Sequence, residues 1–251
     1  MRRNTRFSSL YSVAALFILW FIAAWLAQSR ALPSPIAVMH SIGTELRSGD
    51  LVFHTLATLG RVAGAFVVAM FIGTSIGIAL GRNEFLNRVF DPWVVLFLNI
   101  PALVIIVLSY IWFGLNESAA IGAVALNKIP NVIVTIREGA KSLEPELGEM
   151  AKVFRFSKGQ VLWHVILPQL QPYIAAATRS GVALIWKIVL VVELLGRSNG
   201  VGFQIHLHFQ LFDVATILAY TLVFVAIMLA VEYLILQPLE NYSRRWRVSN
   251  A

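Results

Sequence analysis

Six charged side chains sit where charge is expensive. Arg61, Lys128, Arg179, Lys187, Glu193 and Glu232 fall within or at the ends of long apolar runs of this 251-residue chain. A charge at the centre of a bilayer costs at least about 2.5–3.5 kcal/mol on insertion scales, so such residues face a bundle interior or a water-filled cavity. The chemistry open to them is to bind or pass a charged solute, and four cations against two anions favour an anion. Lys187 is the deepest, nine residues from Gly196; lining a solute path and pairing with a carboxylate on another helix both fit it. Lys187 and Glu193 are six positions apart and point to different faces of a straight helix, so they are not an intrahelical pair. Arg61 and Arg179 read as structural ions, and Arg61 and Glu232 also have the option of snorkelling to an interface.

Covalent chemistry finds no support. The chain has no cysteine, which excludes thiolate catalysis and Cys-based metal sites. His206-x-His208 has only Asp213 nearby to complete a metal site, so it reads as a surface pair and no metal is expected. There is no G-x-S-x-G, no H-E-x-x-H and no phosphate loop of the G-x4-G-K-[ST] type. No catalytic residue is assigned, and hydrolysis of ATP by this chain alone is not expected.

The elements that position these charges are membrane helices. The composition is 58% hydrophobic and 13% charged, whereas a soluble domain carries roughly a quarter charged residues. Mean hydropathy is +0.75, and several apolar runs reach the roughly 18 residues that read as spans. The first run, 10–27, is longer than a signal-peptide core, holds Trp20 and Trp25, and reads as an uncleaved span. Leu32-Pro33-Ser34-Pro35 breaks the chain. Residues 36–46 follow as an amphipathic surface segment with Ile36, Met39, Ile42, Gly43 and Leu46 at helical spacing. A second span covers 56–80; it carries Gly60-x3-Gly64, and then Gly73, Gly77 and Gly81, three in strict register that make a small-residue packing face. The third, 93–113, should break near Asn99-Ile100-Pro101. The others are 119–136, 174–195 and 214–236, with a glycine-bearing loop at 196–213.

The expected fold is all-α, a polytopic bundle of six transmembrane helices. Thirteen of the twenty Lys and Arg fall on the side of the termini, three (Arg30, Arg47, Arg197) on the other, and four within spans. By the positive-inside bias both termini are cytoplasmic, and the net charge of +7 needs no nucleic acid to explain it.

One stretch, 137–168, does not belong in a membrane. Pro145 suits a first helical turn, with Glu144 and Glu146 near its positive end. Leu147, Met150, Ala151 and Phe154 recur at helical spacing. Ser157-x-x-Gln160 has the form of a capping box opening a second helix, with Val161, Leu162, Val165 and Ile166 as its apolar face and Pro168 closing it. The result is a cytoplasmic knuckle of two short helices bent at Arg155-Phe156, with Met150, Phe154 and Phe156 as knobs for a partner groove. An ordinary loop packed on its own bundle is the alternative.

Glu149-Met150-Ala151, Arg155 and Val165-x-Leu167-Pro168 resemble the EAA loop of binding-protein-dependent ABC importers, whose pattern is E-A-A, three residues, G, nine residues, then I-x-L-P. Met150 replaces a small residue and Arg155 replaces the glycine. If that position needs φ > 0, arginine is strained there. Leu32-Pro33-Ser34-Pro35, Ile100-Pro101, Trp112-Phe113-Gly114, 143–147, Glu193-Leu194-Leu195-Gly196 and Gly200-Val201-Gly202 are similar to the nitrate/sulfonate/taurine branch of these permeases.

The resemblance implies a permease subunit that moves a small anion by alternating access, with no cofactor of its own. Its partners would be a second copy of itself, a cytoplasmic ATPase dimer carrying ATP and Mg, a solute-binding protein on the far face, and lipid. Glu149, Met150, Ala151, Phe154, Arg155, Phe156, Leu167 and Pro168 would couple to the ATPase. Lys187, Glu193, Lys128 and Asn99 are the candidates for the solute path. The expected layout is 1–53 (first span and external segment), 54–243 (importer core) and 244–251 (cytoplasmic tail). A stand-alone secondary transporter or channel is the rival reading, and a membrane-embedded enzyme a more distant one.

Overall fold

In a computed structural model, residues 4–238 are described; the basic residues Arg2, Arg3, Arg244, Arg245 and Arg247, and with them the tail at 244–251, lie outside that range. Among the described residues the chain is helical with no strand. The helices are α1 (Asn4–Ala27), α2 (Pro35–Ser48), α3 (Asp50–Arg82), α4 (Glu84–Asn99), α5 (Ala102–Phe113), α6 (Glu117–Lys141), α7 (Pro145–Val153), α8 (Lys158–Val161), α9 (Leu167–Gly196), α10 (Val201–Gln210) and α11 (Val214–Val231). One π turn, Leu162–Ile166, joins α8 to α9, and a second, Glu232–Leu236, extends α11. Among the described residues, four continuous helices are long and apolar enough to cross a membrane: Asp50–Arg82, Glu117–Lys141, Lys158–Gly196 and Val214–Leu236.

The chain forms two compact units. The first takes Met1–Ala57 and Glu193–Ile227. Within it, Ser34 caps α2 by accepting the Ala37 N–H at 3.2 Å, with Pro35 in the first turn and Gly49 (φ 85°) ending the helix. The expected apolar face of α2 carries exposed Ile36, Met39 and Leu46, while Val38 is buried. The Tyr220 hydroxyl donates to Glu45 at 2.8 Å and holds α2 against α11.

The second unit takes Thr58–Val192 and Met228–Ala251. Its framework is the contact of α3 with α6. A Cβ on Gly73 would lie 2.6 Å from Val132 Cβ, one on Gly77 2.8 Å from Ile136 Cβ, and one on Gly81 2.5 Å from Ala140 Cβ. This is the close backbone approach that small residues permit in lipid. Gly64 only touches Ile121, and Gly60 has nothing within 4 Å, so the close approach belongs to the three glycines in register. Around it, Val62, Ala65, Ile106, Val124, Ile185 and Val189 form one core; Val132, Ile136, Ala140, Ile166 and Leu170 form another.

The third span breaks where expected, into two helices, α4 and α5, meeting at 94°. Pro101 forces its predecessor out of the helical region, and Ile100 accordingly has ψ 124°. The loop at 196–213 contains α10, a helix in its own right, because remote side chains take up its first N–H groups, as described below.

Gly81→Ala is expected to lower stability by about 1–3 kcal/mol through overpacking, seen as a drop of several degrees in the thermal midpoint of the detergent-solubilised chain. Gly60→Ala, which meets open space, should leave the midpoint unchanged or raise it.

Candidate functional site

The knuckle is built by two terminations. Helix α7 ends at Val153, and the chain then turns through Phe154 into Arg155 at φ 53°. The Phe156 N–H donates to Ala151 O at 2.9 Å and the Arg155 N–H to Lys152 O at 3.0 Å. These two bonds are a Schellman motif, with Arg155 in the left-handed position that glycine normally fills. The position does need φ > 0, and the glycine of the resembling pattern has its physical reason there. The left-handed conformation costs a non-glycine residue about 1–2 kcal/mol. Helix α8 then starts on the expected capping box: the Gln160 N–H donates to Ser157 Oγ at 3.3 Å, and the Ser157 N–H to Gln160 Oε1 at 2.8 Å.

The knuckle's outer and inner faces differ. Ala151 is 1% exposed, whereas Phe154 is 68% exposed; Glu149, Met150 and Val153 are also at the surface. Phe154 and Phe156 stand side by side, ring centres 6.5 Å apart. On the inner side Val165 and Ile166 are buried. The Glu144 N–H donates to Gln169 Oε1 at 3.0 Å, Ser142 Oγ and Tyr173 Oη lie 2.8 Å apart, and a Cβ on Gly139 would overlap the Tyr173 ring. The knuckle is therefore fastened at both ends to α6 and α9.

Pro168 does not close the second helix. The helix runs on from Lys158 through Leu167 and Pro168 to Gly196, 39 residues without a break, and the span expected to begin at 174 begins in the knuckle itself. A proline clashes with the carbonyl four residues back. Here the turn before it is π, with the Leu167 N–H donating to Leu162 O, and the added residue opens the ladder ahead of the ring.

The in-span charges resolve differently from one another. Arg61, far from snorkelling, is buried and makes a bidentate pair with Glu117 (Nε–Oε2 2.9 Å, Nη2–Oε1 2.6 Å). Arg179 pairs with Glu232 at 3.0 Å. Glu193 is fully buried, and its Oε2 accepts the Gly202 N–H at 2.8 Å. The Gly200 N–H donates to His54 Nδ1 at 2.9 Å, so His54 and Glu193 together cap α10. A Cβ on Gly200 (φ 114°) would fall 2.3 Å from the Glu193 carboxyl carbon, which leaves glycine as the residue that fits. Asn99 is exposed and donates to Val95 O of its own helix at 2.7 Å. Lys128 is 2% exposed, with Ser180 Oγ at 3.5 Å. Lys187 is exposed, 5.6 Å from the centre of the Trp186 ring.

Outside the spans, His208 Nδ1 lies 3.3 Å from Asp213 Oδ2. Burial pushes the Asp213 carboxyl up, but hydrogen bonds from Thr216 and the charge of His208 outweigh it and hold the group below the usual carboxylate range. No group of three metal-ligating side chains occurs among the described residues.

Several residues that matter here carried little signal in the sequence. Glu117, in the first turn of α6, and Asp91, midway along α4, had no role in the sequence reading, yet they pair with Arg61 and Arg137. Arg137 also donates to Asn87 at 3.1 Å, tying α4 to α6. His54 is a lone histidine whose role depends on a partner 146 positions away.

Helical throughout its described residues, with at least four bilayer-length helices, ion pairs between them and a surface knuckle continuous with one of them, the chain has the build of a multi-pass membrane transport subunit. The chain belongs to the family described as binding-protein-dependent transport system inner membrane component, whose model matches residues 65–247. It is similar to the taurine transport system permease protein of Escherichia coli, 29% identical, covering 78% of this chain and 74% of that one. The putative aliphatic sulfonates transport permease protein of Bacillus subtilis is 28% identical over 76% of this chain and 70% of its own length. The bicarbonate transport system permease protein of Synechococcus elongatus is 29% identical over 78% and 74%. Among solved structures, inward-facing forms of the MetNI methionine ABC transporter share the fold with a TM-score of 0.62 at 17% identity, over 74% of this chain and 91% of that one. An amino acid ABC transporter solved with histidines gives 0.61 at 18%, over 81% and 97%.

Arg155→Gly is expected to stabilise the chain by about 1 kcal/mol through relief of the left-handed strain, read as a higher thermal midpoint. Arg155→Val, with a branched Cβ at the same φ, should lower it.

Proposed function

We propose that this permease moves a small anionic solute into the cell by alternating access, driven by ATP hydrolysed on a separate subunit. The carrying observation is the knuckle: two short capped helices meeting at a Schellman turn, apolar side chains outward, and one of the helices continuous with a 39-residue helix of spanning character. An exposed apolar knob on a rigid base is suited to a groove in a partner, and its continuity with a span offers a direct route for motion.

In this reading Glu149, Met150, Phe154, Arg155 and Phe156 engage the ATPase, buried Ala151 seats the knuckle on its own bundle, and Leu167 and Pro168 join the knuckle to the span. ATP and Mg belong to that partner, and this chain carries no cofactor and no catalytic group. Two copies of the chain form the pathway above an ATPase dimer, and a solute-binding protein delivers to the opposite face. Both termini and the knuckle are cytoplasmic, in keeping with the Lys and Arg bias. The bundle has six spans, counting α1 and the α4–α5 pair. Residues 1–53 form the first span and external segment, 54–243 the importer core and 244–251 the cytoplasmic tail. Solutes named for the relatives, taurine, aliphatic sulfonates and bicarbonate, together with the surplus of cations within the spans, support an anion.

The purified chain is expected to show no ATP hydrolysis on its own and to gain it only with an ATPase subunit. Phe154→Ala should weaken that association by about thirtyfold, the size of an interface hot spot. Glu149→Arg should abolish uptake while membrane insertion is unchanged. Uptake that survives ATP depletion and collapses with an ion gradient would establish the stand-alone transporter in place of this reading.

A further inference from the structure

Four cations lie within the spans, and they divide into two pairs. Arg61 and Arg179 are each matched by a carboxylate. Lys128 and Lys187 are not: neither has a carboxylate within ion-pair distance among the described residues, and the one polar contact of Lys128 is Ser180 Oγ at 3.5 Å. The Ser180 hydroxyl donates to Ala177 O at 3.2 Å, so its oxygen is left to face the ammonium. Lys128 is 98% enclosed, with its Cε against Gly181, and its tip is aimed at a residue on the surface of α9.

That surface is unlike a lipid-facing one. Ala176, Ser180, Ala183 and Lys187 are all exposed, and their spacing of four, three and four places them on one face of α9. With exposed Leu184 at its edge, the stripe itself sets two small residues, a hydroxyl and an ammonium where a lipid contact calls for leucine or phenylalanine. Lys187 against acyl chains would be an unneutralised charge in hydrocarbon. Lys128 addresses the same stripe from α6, about two helical turns, or roughly 10 Å, from Lys187.

We infer that the Ala176–Ser180–Ala183–Lys187 face of α9 lines the solute path, and that the oxyanion end of the solute is held there in succession at Ser180, with the enclosed Lys128 ammonium behind it, and at Lys187. The inference rests on the permease reading only in requiring that a path exists. The solute class is a small oxyanion, a sulfonate or a carboxylate, presented to two ammonium groups with a serine beside the first. Alanines at 176 and 183 leave the width a solute needs. Two separated cations suit passage, because an anion must bind well enough to enter and weakly enough to leave, and handing it between two sites meets both demands. Of the other path candidates, Glu193 caps α10 and Asn99 is bonded to its own helix, so neither belongs to this face.

The absence of native cysteine makes the test direct. Ser180→Cys introduces a single thiol, which is titrated in isolated membranes with two water-soluble methanethiosulfonate reagents, one carrying a sulfonate and one a trimethylammonium group. Both should react, the sulfonate reagent faster. Adding Lys187→Met or Lys128→Met should lower the ratio of anionic to cationic rates by about tenfold, the scale of charge focusing in a cleft, and Lys128→Arg should preserve it. The ratio is insensitive to a general change in exposure or thiol acidity, and exposed Lys187 can be replaced without disturbing the core. A thiol inert to both reagents, or a ratio unmoved by both lysine substitutions, overturns the inference; a ratio unmoved by one removes that lysine. Labelling requires no ATPase, so this outcome is separate from success or failure of ATP-dependent uptake.

Discussion

Helices in lipid have no water to escape from when they meet, so their association depends on how closely two backbones can approach. In this chain that constraint is met along α3 and α6, where Gly73, Gly77 and Gly81 leave no room for a Cβ beside Val132, Ile136 and Ala140. The contact fixes the rotation of α6, and much else follows from it. Lys128, Arg137 and Gly139 are carried on the same helix, and each is turned to a different neighbour: Ser180, Asp91 with Asn87, and the Tyr173 ring. A widening at the glycine seam would displace Lys128 and the anchor of the knuckle together.

The buried charges show three distinct ways of satisfying a costly group. Arg61 is neutralised by a bidentate carboxylate. Glu193 is stabilised by backbone N–H groups at the start of α10, where the helix dipole favours negative charge, and His54 takes up a neighbouring N–H. Lys128 has neither arrangement, only a serine at the limit of contact. A group left so poorly compensated in a well-packed bundle is the exception that a transport role accounts for.

How much of this could be read in the sequence depended on the range of each interaction. Local signals transferred well: the Ser157–Gln160 capping box, Pro35 at a helix start, the break before Pro101 and the bend at Arg155 each involve residues within a few positions. The four-residue glycine repeat also transferred, since helical periodicity alone puts Gly73, Gly77 and Gly81 on one face. Pro168 misled because its tolerance depends on a π turn, a backbone irregularity that leaves no compositional mark. The helix at 201–210 was hidden because its caps come from His54 and Glu193, residues remote from its first turn or lying on another helix. Lys187 was singled out by depth, but its relation to Lys128 appears only when α6 and α9 are side by side.

The continuity of the knuckle with α9 has a mechanical meaning. From Lys158 to Lys187 the helix measures about 45 Å at 1.5 Å per residue, so each degree of tilt at the base swings Lys187 through about 0.8 Å. The irregular points on this shaft, the π turn at Leu162–Ile166 and Pro172, both come before Ser180. Compliance is concentrated near the fulcrum, and the arm beyond it is unbroken helix. Beyond Pro172, a rocking of the helix has no further break to absorb it before the far lysine.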